Sequence, residues 1–180
     1  QTEGKPLVEL SQQLTGELTD SQKELKDALL QISPIPVSFQ PIEGSANGFY
    51  SLDKNAITVD STLSEKQSVK TLIHEIAHAT IHNINIPDAP KDSPTREVQA
   101  ESIAYVVCQY FGMDVSDYSF GYIAGWSTGK DTKELKESLE IIRDTSNDII
   151  SKTEQTLTQM QSVKQKVSET IQPKRRGRCM

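Results

Sequence analysis

The sequence predicts an α+β domain on three observations. An extended, alternating stretch over 37–59 is broken by turn residues, a capped amphipathic helix follows from about Ser64 to about Asn83, and a second helix is opened by Ser93-Pro94. With 180 residues, 35% hydrophobic and 24% charged, the chain can build one modest core and not two. No apolar run approaches the roughly 20 residues that span a bilayer, so no membrane span is expected. The first 30 residues show no apolar signal segment, and the chain begins at Gln1 rather than Met, so a domain of a longer protein is expected.

Taken in order, Leu7, Val8, Leu10, Leu14 and Leu18, then Leu25, Leu29 and Leu30, recur at spacings near three and four and predict two short helices within 7–31. Pro34 and Pro36 forbid helix after Ser33, and Val37-Ser38-Phe39-Gln40-Pro41-Ile42 alternates as a strand does. Gly48-Phe49-Tyr50-Ser51 and Ala56-Ile57-Thr58-Val59 flank the turn residues Leu52-Asp53-Lys54-Asn55, and a small antiparallel sheet of three strands is the expected assembly. Ser64 with Gln67 is a capping-box pattern, behind which Val69, Leu72, Ile73, Ile76, Ala77 and Ile81 form one stripe of a helix.

The helix from Ser93 is expected to reach Phe111 and stop at Gly112. Residues 114–129, rich in Gly, Ser and aromatics, suggest an ordered loop or short strand. From Asp131 the pattern is helical again, with Leu135, Leu139, Ile142, Ile149 and Ile150 on one side. A weaker stripe of Leu157, Met160, Val163, Val167 and Ile171 continues it until Pro173. The expected organisation is a domain over 1–150 and a polar helix with a basic tail, Lys174-Arg175-Arg176-Gly177-Arg178, over 151–180.

The net charge of −6 speaks against generic binding to a phosphate backbone. Residues 1–129 hold 8 basic and 17 acidic side chains, whereas 130–180 hold 11 and 8, so only the C-terminal end suits a polyanion. Two cysteines, Cys108 in an apolar stretch and Cys179 in the tail, make neither a disulfide framework nor a thiolate metal site, and a cytoplasmic setting is expected.

Chemistry concentrates in His74-Glu75-Ile76-Ala77-His78, an HExxH motif on the capped helix. Residues four apart lie one above the other on a helix, so both imidazoles can reach one ion with the glutamate beside it. A catalytic zinc site needs three protein ligands and an open position for water. His82 continues the same face, but a rise of about 5.4 Å per turn carries it past an ion held between His74 and His78. It is read as a solvated or capping histidine.

The third ligand is expected from the second helix. Glu97 falls 19 positions after His78, enough for one helix to end and another to return with a carboxylate. Glu97 is read as the ligand, and Glu101, one turn on, as the acceptor for the far ring nitrogen of a ligand histidine; the reverse assignment is the alternative.

A bound Zn2+ would acidify its water toward a pKa of about 7, with Glu75 as catalytic base, and peptide hydrolysis suits this layout. Tyr118, Tyr122, Tyr105 and Arg96 are candidate donors to a developing oxyanion. An extended peptide would pair with a sheet edge, for which Ile57-Thr58-Val59 is the expected strand. Cys108 reads as a small core residue, since no histidine remains to activate it.

Gly48-Phe49-Tyr50, Asn55-Ala56-Ile57-Thr58-Val59, the run from Thr71 to Thr80 around HExxH, and Glu97-Val98-Gln99-Ala100-Glu101-Ser102-Ile103-Ala104-Tyr105 together resemble known sequences. They are similar to the zincin-like metallopeptidase domains of ArdC-type antirestriction proteins and LtrC-like proteins of conjugative elements and, more distantly, to ImmA/IrrE peptidases. The resemblance covers roughly residues 30–130. It implies a zincin-like α+β fold, zinc held by His74, His78 and Glu97, and Glu75 as base. ImmA/IrrE proteins commonly have asparagine where this chain has Glu101. Those peptidases act on a repressor, whereas ArdC-type proteins carry a separate single-strand DNA-binding domain that nothing in this chain matches.

The function expected is that of a zinc metallopeptidase domain of a larger mobile-element protein in the bacterial cytoplasm. Its partner would be a peptide or protein substrate such as a regulatory protein. DNA would be met through other parts of the full-length protein. The alternative is a non-proteolytic antirestriction or DNA-associated module that uses the same fold as a scaffold.

Overall fold

The computed structural model describes residues 13–83, 93–115 and 131–171. They form an α+β arrangement of four helices and one small mixed sheet: α1 (Asp20–Ile32), β1 (Val37–Gln40), β2 (Gly48–Ser51), β3 (Ala56–Asp60), α2 (Glu65–Ile81), α3 (Ser93–Tyr110) and α4 (Thr132–Ile171). Among the described residues no helix is long and apolar enough to cross a membrane.

One described helix stands where two were expected in 7–31, and residues 1–12 lie outside the described part. Leu14 and Leu18 have helical spacing but are held otherwise. Gly16 takes φ +106°, a left-handed conformation that breaks a helix. The backbone N–H groups of Leu14 and Leu18 donate to Gln67 Oε1 (2.9 Å) and Glu65 Oε2 (2.8 Å), which pins this stretch to the start of α2. α1 begins only at a full capping box, in which Thr19 Oγ1 accepts from the Gln22 N–H and Gln22 Oε1 accepts from the Thr19 N–H.

The sheet order is β1-β3-β2, with β3 parallel to β1 and antiparallel to β2. The expected all-antiparallel sheet is therefore wrong in one pairing. The physical reason is burial. β3 hides Ile57, Thr58 and Val59, whereas most of β1 is exposed and β2 is half-exposed, so the most apolar strand takes the centre. The connection over 41–47 is long enough to skip a strand position, and β3 then returns through the turn Leu52–Asn55 into the gap.

α2 is the central helix, lying between the sheet and α3 and also touching α1 and α4. Ser64 caps it by accepting from the Gln67 N–H at 3.2 Å. The box is only half formed, because the Gln67 side chain turns instead to Leu14 and Thr71. Val69, Leu72, Ile73, Ile76 and Ala77 of α2 are joined in the core by Ile57 and Val59 of β3 and by Ala100, Ile103, Ala104 and Val107 of α3.

α3 ends where the sequence predicts. Gly112 at φ +73° lets its own N–H reach Gln109 O at 3.1 Å and that of Met113 reach Cys108 O at 2.8 Å, the paired bonds of a Schellman stop. α4 runs unbroken through the expected boundary at 150, packs on α3 and α1, and buries Ile142, Ile149, Ile150 and Thr153. Beyond Thr153 its described side chains are half-buried or exposed. The aromatic segment expected as loop or strand lies, from 116 on, outside the described residues, as does the basic tail.

Candidate metal centre

The site forms where α2 and α3 pack together. One turn apart on α2, His74 and His78 turn their Nε2 atoms toward each other at 3.0 Å. Glu97 of α3 straddles them, with Oε2 at 3.5 Å from His74 Nε2 and Oε1 at 3.6 Å from His78 Nε2. The three donors lie within 4.8 Å of one another. Ligand atoms about a tetrahedral ion with bonds of about 2.0–2.1 Å stand about 3.3 Å apart, so these separations fit a small divalent cation with little adjustment. Two imidazole nitrogens and one carboxylate also leave a fourth position open.

Glu101 lies on the far side of His74. Its Oε2 lies 3.4 Å from His74 Nδ1 and its Oε1 2.6 Å from Lys70 Nζ, so one carboxylate bridges a lysine and the far side of a candidate ligand. Burial alone would hold the His74 imidazole below its ordinary range, but the bonds to Glu101 and Glu97 outweigh it and lift the ring to about 9. The neighbouring rings of His74, then His78, hold the Glu97 carboxyl well below the usual carboxylate range. Surroundings that favour a proton on this cluster favour a cation there equally, and the two compete.

Glu75 is buried, and burial raises its carboxyl above the ordinary value even though the Tyr50 backbone N–H donates to it. That contact places Glu75 at the outer edge of β2, which among the described residues pairs with no further strand. In the β2–β3 pairing Phe49 and Ser51 turn their backbone groups toward β3, so those of Gly48 and Tyr50 face outward. The edge beside the site is therefore β2, and the expected Ile57-Thr58-Val59 strand is central with both edges used. Gly48 lets β2 come this close: a Cβ there would meet Thr71 Cγ2 at 2.7 Å and Thr58 O at 3.0 Å.

Two adjoining cavities, of about 260 and 390 Å³, share Gly48, His74, Glu75 and Glu97. The first continues toward Gln67, Lys70 and Thr71, and the second toward Phe49, Leu52 and Arg96. The candidate site is thus the waist of a cleft along β2. Tyr118 and Tyr122 lie outside the described residues. Of the other two candidate oxyanion donors, Arg96 lines the cleft and Tyr105, on α3, does not.

His82 departs from expectation. It caps α2 through its backbone N–H, which donates to His78 O at 2.9 Å, but its ring is buried rather than solvated. That ring sits between His78 and Gln99, and burial pulls its pKa down to about 4. No motif marks Lys70 in the sequence; its one signal is its place one turn before His74 on a helix with little solvent face.

No protein-family model matches the chain, and no solved structure matches it. An uncharacterized plasmid protein of Bacillus anthracis is 32% identical over 114 residues, which are 63% of this chain and 19% of that protein. The chain thus spans about a fifth of the length of the relative it matches.

Proposed function

We propose that this chain is a zinc-dependent metallopeptidase domain with a zincin-like fold, part of a larger protein of a bacterial mobile element acting in the cytoplasm. The observation that carries the proposal is the convergence of His74, His78 and Glu97 beside Glu75, at the waist of a cleft bordered by β2, an edge strand among the described residues. His and carboxylate donors in an open three-ligand set suit zinc. Similarity to a plasmid protein supports the mobile-element setting.

Zinc bound there would supply a Lewis acid and an acidified water. The chain supplies the rest. The outward backbone groups of Gly48 and the outward carbonyl of Tyr50, whose N–H is held by Glu75, pair with an extended peptide and lay its scissile bond across the waist. Glu75 takes the proton of the attacking water and delivers it to the leaving amine, a task for which a carboxyl raised by burial is suited. Arg96, on the cleft wall, is placed to meet negative charge on the substrate.

A peptide library read by mass spectrometry tests the proposal. Zinc-loaded protein is expected to cleave it, and Glu75→Gln to retain zinc while cleavage falls about 10²–10⁴-fold. Zinc-loaded protein that cleaves nothing would assign the domain the non-proteolytic scaffold role instead.

A further inference from the structure

Given the metal site proposed above, on which this rests, we infer that His82 is a positioning residue: its Nδ1 accepts the Nδ1–H of His78, and Gln99 and Ser138 fix its orientation.

A histidine that ligates through Nε2 carries its proton on Nδ1 and needs an acceptor there. The His78 Nδ1 faces the His82 Nδ1 at 2.9 Å. Two such atoms bond only when one holds a proton and the other a lone pair. His82 Nε2 lies 2.9 Å from Gln99 Oε1, and an amide oxygen can only accept, so His82 keeps its proton on Nε2 and presents a lone pair to His78. The Gln99 amide nitrogen in turn donates to Ser138 Oγ at 3.0 Å. The ring protons of His78 and His82 are then both placed, and the lone pair of His78 Nε2 is left facing His74 and Glu97.

The opposite arrangement defeats the site. A Gln99 amide turned end for end would donate to His82 Nε2, move that ring's proton to Nδ1, and force the His78 proton onto Nε2, where the cation must bind. Bulk water cannot relax the constraint, because His82, Gln99 and Ser138 are only 5%, 1% and 3% exposed. The two ligand histidines are thus held differently: His74 by a carboxylate paired with Lys70, His78 by a neutral row crossing from α2 through α3 to α4. Docking of α4, through Ser138, bears on the orientation of a ligand.

The test is zinc affinity of the full chain, measured by chelator competition, for wild type, His82→Leu and His82→Asn. Ring tautomers of the zinc-loaded wild type are read alongside by nitrogen-15 NMR. An asparagine Oδ1 takes the place of the imidazole Nδ1 and can accept from His78, whereas leucine cannot. His82→Leu is expected to weaken zinc binding about ten- to hundredfold, His82→Asn to recover most of that loss, and wild-type His82 to show the Nε2–H form. Unchanged affinity in His82→Leu overturns the inference, as does a His82 that carries its proton on Nδ1. Equal weakness of the Asn and Leu variants, with zinc-stripped folds as stable as wild type, does so too. If His82→Leu does not fold, the asparagine variant and the tautomer decide. Failure of the wild type to bind zinc would instead overturn the metal site itself, and this role with it.

Discussion

Lys70 and Glu101 form an ion pair of 2.6 Å inside the core, their side chains 2% and 5% exposed, one helical turn before His74. Burial lowers the Lys70 pKa, opposed by the neighbouring Glu101 charge. A charge placed so deeply is tolerated only while its partner remains.

Removing one partner should therefore cost far more than removing both. Lys70→Met takes from the buried Glu101 carboxylate its 2.6 Å cation and leaves it the longer contact to His74, and is expected to destabilise the protein by about 3–5 kcal/mol, while Lys70→Met with Glu101→Leu recovers much of the loss. Urea unfolding of the single and double variants measures this. A single variant as stable as wild type would mean that the pair bears no load in the core.

Gly48 should not accept a side chain. In Gly48→Ala the new Cβ would stand 2.7 Å from Thr71 Cγ2 and 3.0 Å from the Thr58 carbonyl oxygen, the latter backbone in the central strand. Strand β2 must lift from α2, and the Tyr50 N–H bond to Glu75 lengthens. A loss of about 1–3 kcal/mol is expected from the overpacking, with peptide cleavage falling further than stability alone explains. Thermal unfolding and the peptide assay, run on the same preparation, separate the two effects.

Cys108 should be inert. Fully enclosed on α3, its thiol is pushed by burial from an ordinary 9.0 up to about 12. The folded pKa lies above the unfolded one, so the associated stability is complete below pH 9 and is lost as pH rises toward 12. Alkylation at pH 8.5 is expected to be on the order of a thousandfold slower in the native protein than in the unfolded chain. A native rate within tenfold of the unfolded one would contradict the burial.

What could be read from the sequence, and what could not, follows the range of the forces involved. HExxH at helical spacing, the Ser64 cap and the Gly112 stop are local features, and each appears where the residues require it. Glu97 was within reach because a helix–loop–helix return has few ways to bring a carboxylate back. The place of β3 at the centre of the sheet was not, since strand order is decided by which segment is buried on both faces. The same holds for the row from His78 through His82 and Gln99 to Ser138, whose members are unremarkable polar residues until three helices bring them together. Leu14 and Leu18 show the converse: helical spacing, overruled by Gly16 and by the pull of the α2 terminus.

Zinc content tests the central claim most directly. Protein purified without added metal or an affinity tag, wild type beside Glu97→Ala, would be analysed by plasma mass spectrometry after buffer exchange. About one zinc per chain in the wild type, lost or greatly weakened in Glu97→Ala, is the expected result. A wild type that holds no zinc even after zinc is supplied, or a Glu97→Ala variant that holds it as tightly, would contradict a three-ligand site of His74, His78 and Glu97.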